Sequence, residues 1–244
     1  MSQQPPGTAP ANTAPANTAP GSVEALYPFL YAGRTDVSAV LDQVRASTVA
    51  KAQEIVELRR AVRDTYRGQL AACAAELAGR FAAGGRLLTF GNGGSATDAQ
   101  QLATLFLEPG GTARPLPALS LASDPSVLTA LANDVGTDVV FTRQLAALGG
   151  PADIAVGLST SGNSGNLLRA LRDAAAKGML TIAIAGYSGG KMAELDTLDY
   201  LFVAPSASVH RIQEAQTTMY HALWELCQAA LPAPEAMPAP VEAE

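Results

Sequence analysis

The chain has 244 residues, 48% of them hydrophobic and 16% charged, a balance that buries a substantial core and fits one α/β domain with appendages. Its formal net charge is −6 with no basic cluster, so neither nucleic acid nor a membrane surface is expected as a direct electrostatic partner. No apolar run reaches the ~18–20 residues a spanning helix needs.

Residues 5–22, "PPGTAPANTAPANTAPGS", repeat a Thr-Ala-Pro-Ala-Asn unit with little to bury, and residues 1–35 are expected to form a disordered tail. This amino terminus lacks the basic and hydrophobic regions of a signal peptide, which points to the cytoplasm. From Asp36, a plausible N-cap, to Gly84 the chain is a Pro-free run of helix formers, long enough for two helices. Such a helical extension needs a partner surface, either its own sheet or a second subunit. Cys73 and Cys227 lie in helical sequence without metal-type spacing and read as buried, reduced thiols.

From Arg86 the pattern alternates. "RLLTF", "PALSLA", "DIAVGLST", "LTIAIAGY" and "YLFVAP" are strands too continuously apolar to have one face in water. Helices over about 95–107, 125–148, 164–177 and 209–230 separate most of them. This alternation predicts a doubly wound parallel sheet, with ligands at the carboxyl ends of its strands. The closing residues 231–244, rich in Pro, Ala and Glu, read as a second disordered tail.

Two strand ends carry unusual loops. "GNGGS" follows "RLLTF"; Gly91, Gly93 and Gly94 permit close backbone approach to a ligand, and Ser95 opens a helix whose free amides favour a phosphate. "STSGNS" follows the third strand and gathers Ser159, Thr160, Ser161 and Ser164 beside Gly162 and Asn163 at another helix start. The plainer reading of either loop is a tight turn with Ser as N-cap. As a pair, hydroxyl-rich and without the Lys of a P-loop or a G-x-G-x-x-G spacing, they fit a sugar phosphate.

"FGNGGSATDAQ", "LTALANDVGTDVVFTRQL", "ADIAVGLSTSGNS", "GYSGGKMAEL" and "HRIQEAQTTMYHALWEL" resemble, in order and spacing, the SIS (sugar isomerase) domains of the phosphoheptose isomerase group, acting on sedoheptulose 7-phosphate. That group also contains a non-catalytic regulator of bacterial replication initiation. The resemblance covers about residues 40–230. It implies a flavodoxin-like parallel sheet over 36–230 and a homotetramer whose amino-terminal helices form part of the interface. It also implies that Asn92, Gly93, Ser95, Ser159, Thr160, Ser161 and Ser164 hold the phosphate, with Asn133 and Asp134 near the sugar hydroxyls.

Aldose–ketose isomerisation moves a proton between neighbouring carbons and calls for an acid and a base. Catalysts of this family commonly place a His and, four residues later, a Glu on the helix after "GNGGS"; with a Gln and a His of the last helix they can bind zinc. The last-helix pair survives here as Gln213 and His221. At the other two positions stand Gln101 and Leu105, neither a base nor a good zinc ligand, so no metal or other cofactor is expected. Glu108, seven residues after Gln101, is the available replacement base; its plainer reading is a solvated residue closing a helix, and Pro109 disfavours helical geometry there. His221 would be the acid and Gln213 would contact substrate. His210 stands where relatives often carry an acidic residue. Arg211 and Glu214 are expected to hold the helix by ion pairing, while Arg114 could supply a basic group only from a loop. The alternative is a sugar-phosphate sensor or tetrameric adaptor that binds a protein partner without chemistry.

Overall fold

The computed structural model describes residues 37–232. The two expected disordered tails, apart from residues 231 and 232, and the Asp36 cap lie outside them.

The first element is a single helix, α1, Val37–Ala82. Two helices were expected; with no Pro or helix-ending glycine conformation before Gly84 (φ 82°), nothing interrupts the run. There follow β1 Leu87–Gly91, α2 Gly94–Leu107, β2 Ala118–Ser120, α3 Pro125–Asp134, α4 Val140–Leu148, β3 Ile154–Leu158, α5 Gly165–Ala176, β4 Leu180–Gly186, β5 Tyr200–Ala204 and α6 Val209–Ala230. All five expected strands form. The helix expected over 125–148 is broken in two by Gly136, whose φ of 110° suits glycine and lies outside helical space. A short 3-10 turn, Thr137–Val139, restarts the chain.

The strands pair in the order β2-β1-β3-β4-β5, all parallel, a flavodoxin-like arrangement with its switch point between β1 and β3. Alternate strand residues feed two cores. Leu87, Ile154, Val156, Leu158, Ile182, Ile184 and Phe202 pack with α1, α2 and α6. Leu88, Phe90, Ala155, Ala183 and Ala185 pack on the other face with α4 and α5. Asp153 anchors the start of β3: its carboxylate accepts the Arg86 amide at 2.7 Å, the Arg86 guanidinium at 2.9 Å and the Gly150 amide at 2.8 Å. Cys73 and Cys227 are buried free thiols, and desolvation pushes both above their ordinary range. No helix among the described residues is long and apolar enough to cross a membrane.

Candidate functional site

Because β1 and β3 are hydrogen-bonded neighbours with Gly91 opposite Leu158, the loops that leave them emerge side by side. The helices that follow, α2 and α5, begin within a few residues, so two sets of unpaired amides and two positive dipole ends open at the same edge of the sheet. Asn92 and Asn166 bind the loops together through a reciprocal carboxamide pair, 2.9 and 3.1 Å. Gly91 is required here: a Cβ would lie 2.4 Å from the Ser95 carbonyl oxygen.

Ser95 is buried at the start of α2, and the N-cap residue is Gly93, with no side-chain cap. Ser159 is buried and its hydroxyl accepts the Gly162 amide at 3.0 Å, shaping the second loop. Thr160, Ser161 and Ser164 are half-buried; Ser164 is the N-cap of α5 but its hydroxyl makes no capping bond. Neither Ser95 nor Ser164 uses its hydroxyl as a cap, although Ser164 does occupy the N-cap position of the tight-turn reading. A third segment lies on this loop: Gly162, at φ 67°, presses so closely on Gly189 that any Cβ would sit 1.9 Å from its carbonyl oxygen, and the Lys191 amide donates to Oδ1 of Asn163 at 3.0 Å.

The second half of the site lies between α2 and α6, which pack against each other. A cleft of about 600 Å³ is lined by Thr97, Gln101, Thr104, Leu105 and Glu108 from the α2 side and Thr217, Tyr220 and His221 from α6. The positions follow from helical spacing: 97, 101, 104 and 105 share one face of α2, while 213, 217, 220 and 221 share one face of α6. Glu108 is non-helical, with φ −133° and ψ 68°, in line with the proline after it, yet its exposed side chain still borders the cleft. Gln213 links the cleft helix to the first loop. Its Nε2 donates to Oδ2 of Asp98 at 3.0 Å, and it lies against Gly94. Burial raises the Asp98 carboxyl above the ordinary carboxylate range, partly offset by that hydrogen bond.

Other expected residues stand apart. Asn133 and Asp134 are exposed at the end of α3, where the Asn133 amide donates to Asp134 at 2.9 Å, and they do not line the cleft. Arg114 is engaged at the end of α6, with Gln228 and the Pro232 carbonyl. Arg211 pairs with Glu214 at 2.7 Å, as expected, and also with Glu54 at 3.6 Å. His210 is exposed. Sequence reasoning missed Asp98, Asn166 and Tyr220. Asp98 lies three residues before Gln101 on the same helical face, and Asn166 is the second residue of α5, just past the loop already singled out; only the fold shows their partners, Gln213 and Asn92.

Residues 52–186 match the family model of the SIS domain. The chain is 43% identical to the phosphoheptose isomerase of Aquifex aeolicus over 177 residues, covering 72% of this chain and 92% of that one. With the phosphoheptose isomerase of Roseiflexus it shares 38% over 193 residues, 79% of this chain and 93% of the relative. The chain belongs to the SIS-domain family, in its phosphoheptose isomerase group. Among solved structures, the Neisseria gonorrhoeae phosphoheptose isomerase superposes with a TM-score of 0.69 at 34% identity, covering 76% of this chain and 99% of the other. That of Francisella tularensis gives the same TM-score at 31% identity, covering 78% and 98%.

The zinc set that the family resemblance implies does not fit this SIS domain. Leu105 has no donor atom. The one metal-ligating atom of Gln101, its Oε1, already accepts the Tyr220 hydroxyl at 3.0 Å. Among the described residues no group of three or more His, Cys, Asp and Glu converges on a common point.

Proposed function

We propose that this SIS-domain protein binds an open-chain sugar phosphate, its phosphate at the paired loops after β1 and β3 and its sugar in the α2–α6 cleft. The reaction would be aldose–ketose isomerisation without metal, Glu108 taking the proton and His221 giving one. The observation that carries the reading is the juxtaposition of two helix amino termini at one sheet edge with an adjoining polar cleft bordered by a carboxylate and an imidazole. Glu108 and His221 are both exposed at the rim of that cleft. Gln213 would contact the substrate from between the two halves, held by Asp98. Asn133 and Asp134, assigned to the sugar hydroxyls by family resemblance alone, would join the site only by a shift of α3 or through another subunit.

A homotetramer and a cytoplasmic location belong to the same reading. The support for assembly is a groove of about 540 Å³ between α1 and α6, its lining apolar at Val56, Val62, Leu70, Met219, Ala222 and Leu226 and shared with Arg59, Arg60, Arg63 and Arg67. An apolar surface of that kind commonly marks an interface.

One observation favours a second reading. Leu105 puts an alkyl group where the family's catalysts place a Glu, and a lost general base removes on the order of 10²–10⁴ in rate. The protein would then be a sugar-phosphate sensor or tetrameric adaptor acting on a protein partner. Thermal melts with hexose, heptose and octose phosphates test the shared part of both readings. A ligand at ~100 times its dissociation constant adds about 2.7 kcal/mol; an unchanged melting temperature with every member would overturn both.

A further inference from the structure

Tyr220 ties the two walls of the cleft together. Its ring is buried within α6 (1% exposed) and stacks on His221, centroids 5.3 Å apart. Its hydroxyl crosses to α2 and donates to Oε1 of Gln101 at 3.0 Å. Desolvation raises the Tyr220 pKa above the ordinary phenol value, against a lowering contribution from Thr217, so the hydroxyl is neutral and keeps the proton it donates. A carboxamide has one oxygen and one NH₂ group; fixing the oxygen on Tyr220 fixes the other end as well. The Gln101 side chain is exposed to the cleft, and its Nε2 makes no hydrogen bond to the protein among the described residues.

We propose that Gln101 is a specificity-determining residue of the sugar subsite, its N–H groups held by Tyr220 as donors to a carbonyl or hydroxyl oxygen of the bound sugar. Tyr220 is the positioning residue. The inference rests on the binding reading above and assigns that cleft a neutral donor. Thr97, Thr104 and Thr217 line the same cleft, so beside Glu108 and His221 it offers neutral hydroxyls that suit a polyol chain. An acceptor-rich sugar end gains from this arrangement, whereas inorganic phosphate, which needs only the loops, does not.

The test is titration of the full chain with sedoheptulose 7-phosphate and, separately, inorganic phosphate. Gln101→Met keeps length and removes the donor. It should weaken the sugar phosphate about fivefold, the effect of one neutral hydrogen bond, and leave inorganic phosphate unchanged. Tyr220→Phe should weaken the sugar phosphate roughly two- to threefold in the wild-type background and add nothing to Gln101→Met, because it acts through Gln101. Equal sugar-phosphate affinity in wild type and Gln101→Met overturns the assignment while leaving the binding reading intact. Equal weakening of both ligands also overturns it, since a general structural role predicts that pattern. If the wild-type chain binds inorganic phosphate but not the sugar phosphate, the binding reading falls and this assignment falls with it.

Discussion

Nε2 of Gln213 lies 2.7 Å from where a Cβ on Gly94 would stand, while it donates a hydrogen bond to Asp98. The glycine at the start of α2 thus leaves the space that a glutamine from α6 uses to reach the carboxylate beneath it. Gly94→Ala should fold, because its backbone needs no positive φ and the clashing atom is the end of a flexible side chain. The displaced Gln213 should lose its bond to Asp98. We expect a melting temperature within a few degrees of wild type and a sugar-phosphate affinity at least fivefold weaker, the cost of one or more hydrogen bonds, read by thermal melting and titration.

Gly162 should behave in the opposite way. A Cβ there would meet the backbone of Gly189 at 1.9 Å, and its φ of 67° is itself unfavourable to other residues. Gly162→Ala therefore forces a backbone shift and should destabilise by about 2 kcal/mol or more. Gly93, with φ 55° and open space around its Cβ position, is the control. Gly93→Ala should cost about 1–3 kcal/mol, the conformational term alone, with no backbone clash added to it. Denaturant unfolding of the two variants separates close packing from backbone preference.

Asp98 and Asp153 should titrate with opposite signs. Burial raises the Asp98 carboxyl, so the folded state holds its proton more tightly than the unfolded chain does. Its contribution favours folding at low pH and diminishes as pH rises from about 4 through the raised value. Burial also acts upward on Asp153, but the Arg86 side chain and the Gly150 and Arg86 amides outweigh it and hold the carboxyl below its ordinary range. That stabilisation is present above about pH 4 and is lost as pH falls through the depressed value. Asp98→Asn should consequently gain stability relative to wild type between pH 4 and 7. Asp153→Asn should lose about 2–3 kcal/mol at pH 7, leaving the buried end of its network unsatisfied, with a smaller deficit near pH 3. Urea unfolding at the three pH values checks both.

The sheet was legible because its central strands are apolar almost throughout and alternate with helices, the pattern of a doubly covered parallel sheet; both glycine- and hydroxyl-bearing loops fell at the ends of neighbouring strands. What eluded sequence reading depended on backbone conformation and on contacts between residues far apart in the sequence. Gly136 sits within an otherwise helical run, and only its φ of 110° reveals that it ends α3. Asp98 reads as an ordinary polar residue of a helix until α6 brings Gln213 over it. Tyr220 reads as core packing, which it is, until its hydroxyl is seen to reach Gln101. The family resemblance marks Gln101 and Leu105 as changed positions but carries no sign of Tyr220, the partner that gives Gln101 a defined orientation.

The most direct test of the account is proton exchange by NMR in deuterated water, with each sugar phosphate that stabilises the protein. The account predicts deuterium uptake at C1 or C2 of the bound sugar, abolished or reduced at least 100-fold in Glu108→Gln and in His221→Ala, with dissociation constants changed only modestly. Binding without any exchange would contradict the catalytic assignment and establish the second reading, a phosphosugar held as a signal beside a cleft in which Leu105 has replaced the chemistry.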